Sequence, residues 1–100
     1  MKIILIDGEK TEKKEDLFDT VRAELPGGVL TGNNLDALYD ALTAVCEPTG
    51  VIVANADALR FVPGLRRHAL LRLLEDAANE NENLSVLIDP FGTDAHLTDI

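Results

Sequence analysis

One hundred residues of 10.8 kDa suit a single domain, since domains commonly run about 100–150 residues. One cysteine excludes an internal disulfide, and a net charge of −9, from 18 acidic and 9 basic side chains, lacks the cationic footprint that direct nucleic-acid binding requires. The same cysteine usage makes a reducing, cytoplasmic setting the expectation, and the N-terminal apolar run Ile3-Ile4-Leu5-Ile6 is too short for a signal peptide or a membrane span, so no membrane contact is expected.

In chain order, residues 2–6 (KIILI) read as a short strand buried on both faces and closed by Asp7-Gly8. Leu17, Phe18, Val21 and Leu25 fall at helical spacing over about 15–25, and Pro26-Gly27-Gly28 stops that helix. After a loop, Asn33 or Asn34 caps a helix over about 35–46 through its side-chain oxygen. Pro48 and Gly50 break this helix, and Val51-Ile52-Val53-Ala54 reads as a second buried strand. Asn55 is placed to cap a short helix over 56–61, which Pro63-Gly64 interrupts. A longer helix follows over about 65–79, with Leu70, Leu73, Leu74 and Ala77 on its inner face. Residues 84–88 (LSVLI) form a third buried strand, ended by Pro90 and Gly92. Apolar strands separated by helices predict an α/β fold, a three-stranded parallel sheet covered by about four helices. This domain is expected over residues 1–92, with 93–100 as a frayed tail lacking sustained periodicity.

The helix over 35–46 has two faces. Leu35, Leu38, Leu42 and Val45 form a core stripe, while Asp36, Tyr39, Asp40 and Thr43 follow the same spacing on the other side. No lysine or arginine lies between Arg22 and Arg60, so nothing nearby in the chain neutralises that outer stripe. A plain solvated face is one reading. Tyr39 favours another, a recognition face for cations, because large amphipathic rings are enriched at interfaces.

Other chemistry is poorly supported. Asp7 and Asp89 follow strands, where a small metal-dependent enzyme would place carboxylates, but turn-forming aspartates beside Gly8 and Pro90 explain them as well. Ser85, the only serine, sits inside a predicted strand, away from the helix start where a nucleophile or a carrier-type serine belongs. No lysine follows Lys14, as a receiver-like phosphoacceptor site would need. Cys46 is read as a core filler, and His68 and His96 are too isolated to pair on a metal. No catalytic residue, metal or cofactor is therefore expected. The cluster of Arg66, Arg67 and His68 at a helix start has no functional account at this level.

The run Gly32-Asn33-Asn34-Leu35-Asp36-Ala37-Leu38-Tyr39-Asp40-Ala41-Leu42-Thr43 closely resembles the signature segment of the barstar family, intracellular inhibitors of the ribonuclease barnase. The opening Ile6-Asp7-Gly8-Glu9 and the segment from Asp16-Leu17 to Glu24-Leu25 resemble the same family, and the likeness spans most of residues 1–89. The resemblance implies an inhibitor or immunity protein that docks this helix and its preceding loop into the basic active site of a secreted or toxin ribonuclease. By position, Asp40 is then the principal phosphate mimic, Asp36 a second anion and Thr43 a polar contact. Gly32 and Asn34 shape the loop, and Tyr39 stands where the family carries tryptophan. Asp76 and Glu80, one turn apart on the last helix, are implied as further contacts, although Arg72 is spaced to form an intrahelical ion pair with Asp76. Leu30-Thr31 replaces a family pair of aromatics in the contact loop, and Val45 replaces another aromatic. These departures keep open an acidic adaptor on the same fold that binds some other protein.

Overall fold

The computed structural model describes residues 1–25 and 30–90. Three strands, β1 (Lys2–Asp7), β2 (Thr49–Ala54) and β3 (Leu84–Ile88), form one parallel sheet in the order β1-β2-β3. A one-turn 3-10 segment (Gly8–Lys10), α1 (Lys14–Glu24) and α2 (Leu35–Thr43) connect β1 to β2. A 3-10 helix (Ala56–Phe61) and α3 (Arg67–Glu80) connect β2 to β3. This is the expected α/β, barstar-like architecture.

The core forms where the helices meet one face of the sheet. Ile4, Ile6, Val51 and Val53 pack there with Leu17, Phe18, Leu38, Leu42, Leu59, Leu70 and Leu74, all essentially excluded from solvent. The expectation that every strand is buried on both faces does not hold. Burial alternates along β1, and Ile3, Leu5 and Leu87 are 46%, 53% and 60% exposed. The physical reason is topological. Right-handed crossovers between strands laid side by side in chain order all fall on the same face of a sheet. The other face is therefore left without a helix among the described residues. It is apolar nonetheless, which is why the sequence pattern imitates a doubly covered strand.

Several boundaries and roles also differ from the sequence reading. Helix α2 ends at Thr43 rather than 46: beyond it the Val45 N–H bonds the Leu42 carbonyl, three residues back, in place of the four-residue step that continues an α-helix. Val45 stays in the core, but Cys46 lies past the helix end and is exposed rather than core-filling. Asn55 does not cap the 3-10 helix with its side chain. It adopts a left-handed backbone (φ 52°), which asparagine tolerates better than most residues, and its Nδ2 donates to Asp7 Oδ1 at 3.0 Å. Gly8 is required beside it, since a Cβ there would overlap the Asn55 carbonyl oxygen. Helix α3 begins at Arg67 instead of 65, after Leu65 bonds back to the Val62 carbonyl. The helix stop at 26–28 and the tail at 93–100 lie outside the described residues.

Candidate functional site

Helix α2 is short, nine residues, and would be marginal alone, so its neighbours fix it. At its N-terminus Asn34, one of the two asparagines the sequence offers as caps, accepts through Oδ1 from the Ala37 N–H at 2.8 Å. The loop entering the helix is gripped by Arg22 of α1. Its Nη2 donates to Asn33 Oδ1 at 2.6 Å and its Nε to the Leu30 carbonyl at 3.3 Å, while Asp19 pairs with its Nη1 at 2.9 Å. Gly32 fits against this cap, since a Cβ there would come within 3.0 Å of Asn34 Nδ2. At the other end, buried Asn81, just past α3, donates through Nδ2 to the carbonyls of Leu42 (3.0 Å), Thr43 (3.3 Å) and Val45 (2.8 Å). The last carbonyls of a helix lack intrahelical donors, and a single amide from the neighbouring helix supplies them here. Its Oδ1 in turn accepts from the Asn83 N–H at 3.0 Å.

Held this way, α2 and α3 enclose a groove lined by Asp36, Tyr39, Asp40, Ala69, Arg72, Leu73 and Asp76. Asp36, Asp40 and Asp76 are exposed, and Tyr39 is half-buried with its ring packed against the core. Partial burial, then the charges of Glu80, Asp76 and Asp40, raise the Tyr39 phenol above its ordinary pKa of 10.0. The three carboxylates come from both helices, so Tyr39 marks where their fields overlap. At neutral pH it remains an uncharged hydroxyl among anions. The groove can therefore accept several cationic donors at once, and its apolar floor of Leu73 and Ala69 can exclude water beneath them.

Most of the residues singled out from the sequence fall on this surface. Asp36, Tyr39, Asp40 and Asp76 line the groove, Glu80 stands close enough to act on Tyr39, and exposed Thr31 and Asn34 lie on the loop with half-buried Gly32. Leu30 is the exception. It is 5% exposed and belongs to the core, so its side chain anchors the loop instead of meeting a partner. Val45, equally buried, is withdrawn from the surface in the same way. The Thr43 hydroxyl is turned onto its own helix, bonding the Tyr39 and Asp40 carbonyls at 2.9 and 3.2 Å, which leaves only its lone pairs for a partner. Arg72 and Asp76 form no ion pair among the described residues, against the intrahelical alternative. The sequence reading missed Arg22 and Asn81 as braces. It also missed that α3 folds Arg72 into a groove whose α2 side has no cation. The basic cluster has a structural role in part: Arg67 lies 3.8 Å from Asp57, which also pairs with Arg60 at 3.5 Å.

At the C-terminal end of β1, Asp7 Oδ1 accepts from both the Glu9 N–H and Asn55 Nδ2, each at 3.0 Å. Asp89 uses its backbone to bond Val53 and Ala56. These contacts account for Asp7 as a turn-former. Among the described residues no group of three or more His, Cys, Asp or Glu is arranged to hold a metal, and no helix is long and apolar enough to cross a membrane.

A family profile described as Barstar (barnase inhibitor) matches residues 1–89. A Bacillus subtilis (strain 168) protein named "Putative ribonuclease inhibitor YrdF" is 29% identical over 91 residues, covering 89% of this chain and 100% of that protein.

Proposed function

This chain belongs to the barstar family of barnase inhibitors, and we propose that it inhibits a cationic microbial ribonuclease by seating the α2–α3 groove over the enzyme's active site. The observation that carries this reading is the convergence of Asp36, Asp40 and Asp76 from two helices on one groove, beside Tyr39. A ribonuclease must hold RNA phosphates with lysine, arginine or histidine, and carboxylates on a rigid scaffold satisfy the same donors. Asp40 is the principal mimic and Asp36 the second, with Asp76 and Glu80 extending the anionic strip onto α3. Tyr39 supplies a flat, neutral contact surface, and Thr31, Gly32 and Asn34 form the rim. The partner is a secreted or toxin ribonuclease with a basic active site, met in the cytoplasm. Inhibition is steric and electrostatic, without catalysis, metal or cofactor.

The charge layout of α3 supports a binding role. Its N-terminal end carries Arg66 and Arg67 and its C-terminal end Asp76 and Glu80, the reverse of what the helix dipole favours. Asp57 offsets Arg67, but Asp76 and Glu80 have no ion-pair partner among the described residues. Carboxylates held at this disadvantage are accounted for by a cationic partner. The test is titration of purified basic microbial ribonucleases with the wild type, Asp40→Ala and Glu12→Ala, the last being an exposed acid outside the groove. We expect stoichiometric inhibition of at least one enzyme, weakened about thirtyfold or more by Asp40→Ala and scarcely by Glu12→Ala. Equal losses in both variants would reduce the effect to net charge and overturn the assignment of the face.

A further inference from the structure

The groove contains one positive side chain, and its behaviour differs from that of most other arginines. Arg22, Arg60 and Arg67 each pair with a carboxylate, at 2.9, 3.5 and 3.8 Å. Arg72 shares its groove with Asp36, Asp40 and Asp76 and yet makes no hydrogen bond or ion pair among the described residues. It also borders the adjoining hollow formed with His68, Glu75, Asp76 and Asn79. Arg72 is exposed, its guanidinium carries five N–H donors in a planar fork, and all are left for an outside acceptor. The groove is therefore an anionic strip along α2 with an unspent cation on its α3 wall.

We propose that Arg72 determines specificity: it selects a partner whose cationic cleft is bordered by a carboxylate or a carbonyl acceptor, and it disfavours surfaces that present cations alone. This rests on the reading of the groove as the inhibitor's contact face. A surface of lysines and arginines brought against α2 must also approach Arg72, and that like-charge contact weakens the complex. A surface with one well-placed acceptor instead gains a charge-assisted bond, bidentate if the acceptor is a carboxylate. Net charge alone cannot make this distinction. An exposed lysine elsewhere, such as Lys10, contributes the same unit of charge without facing the groove.

The experiment has two arms, with Arg72→Ala, Arg72→Glu, Arg72→Lys and the control Lys10→Ala each checked for an unchanged thermal melt. In the first, binding of a lysine homopolymer at low ionic strength is read by calorimetry. Arg72→Ala should bind about fivefold more tightly than wild type, with a larger gain for Arg72→Glu and a change within about twofold for Lys10→Ala. Equal gains in Arg72→Ala and Lys10→Ala would overturn the proposal, because the effect would then be net charge. In the second arm, a ribonuclease inhibited by wild type should be inhibited about tenfold less well by Arg72→Ala and less again by Arg72→Glu, with partial retention by Arg72→Lys. Inhibition that is equal or better in Arg72→Ala would also overturn it. Failure of wild type to inhibit any ribonuclease contradicts the inhibitor reading itself, and the homopolymer arm still decides whether Arg72 discriminates.

Discussion

Tyr39 is the residue through which the groove's electrostatics can be read directly, because the chain has one tyrosine and no tryptophan. Its phenol is held above pKa 10.0 by partial burial and by Glu80, Asp76 and Asp40. A spectrophotometric titration of the tyrosinate band should therefore show a single transition displaced upward, and Glu80→Gln or Asp76→Asn should move it back down. The sign for stability follows from proton binding. A phenol whose folded pKa exceeds its unfolded value holds its proton more tightly in the native state. Its contribution is complete below about pH 10 and is lost as pH rises through the folded value. A transition at or below that of a free tyrosine would show that the three carboxylates do not converge on it. At this scale much of the site was legible. Asp36, Tyr39 and Asp40 repeat at helical spacing opposite an apolar stripe, and that spacing alone puts them on one face. The positions of Leu30 and Arg72 were not legible, since burial of the first and entry of the second depend on how neighbouring elements pack.

At the scale of elements, α2 functions because other elements hold both its ends. Arg22 reaches the entering loop from α1, and Asn81 reaches the final carbonyls from beyond α3. Replacing Asn81 with alanine leaves the Leu42 and Val45 carbonyls without this donor, and should cost about 1–3 kcal/mol in a denaturant titration. Asn81→Asp should be worse despite its matched volume, because a carboxylate would face carbonyl oxygens. Both should also weaken ribonuclease inhibition more than the stability loss explains, since the relative placement of α2 and α3 sets the groove. Unchanged stability in Asn81→Ala would show that water serves these carbonyls equally well. The helices were predictable from their periods, and a cap at Asn33 or Asn34 from residue type. The braces were not, because a side-chain bond between residues 36–39 positions apart leaves no local pattern.

Over the whole molecule, two surfaces follow from the strand order. Among the described residues the packed helices lie on one side of the sheet, and the second side carries Ile3, Leu5 and Leu87 at the surface. Neighbours in sequence therefore differ sharply in their energetic roles. Ile6→Ala should destabilise by about 2–5 kcal/mol, whereas Leu5→Ser should stay within about 1 kcal/mol, both by urea denaturation. Similar losses at the two positions would mean that the second face is covered as well. The α/β class was legible because three apolar runs alternate with helical patterns. The coverage of the sheet was not, since a strand that is apolar on both sides looks the same whether one or two of its faces are packed.

The central claim is that the acidic groove occupies a ribonuclease active site in place of RNA, and competition tests it most directly. Steady-state cleavage by an inhibited ribonuclease should be measured at rising RNA concentration and several fixed inhibitor concentrations. Direct occupation predicts that the apparent inhibition constant climbs linearly with RNA while the maximal rate is recovered at saturation, and that Asp40→Ala keeps this pattern at an inhibition constant about thirtyfold or more higher. An inhibition constant independent of RNA, with a depressed maximal rate, would place the inhibitor elsewhere on the enzyme and contradict the account.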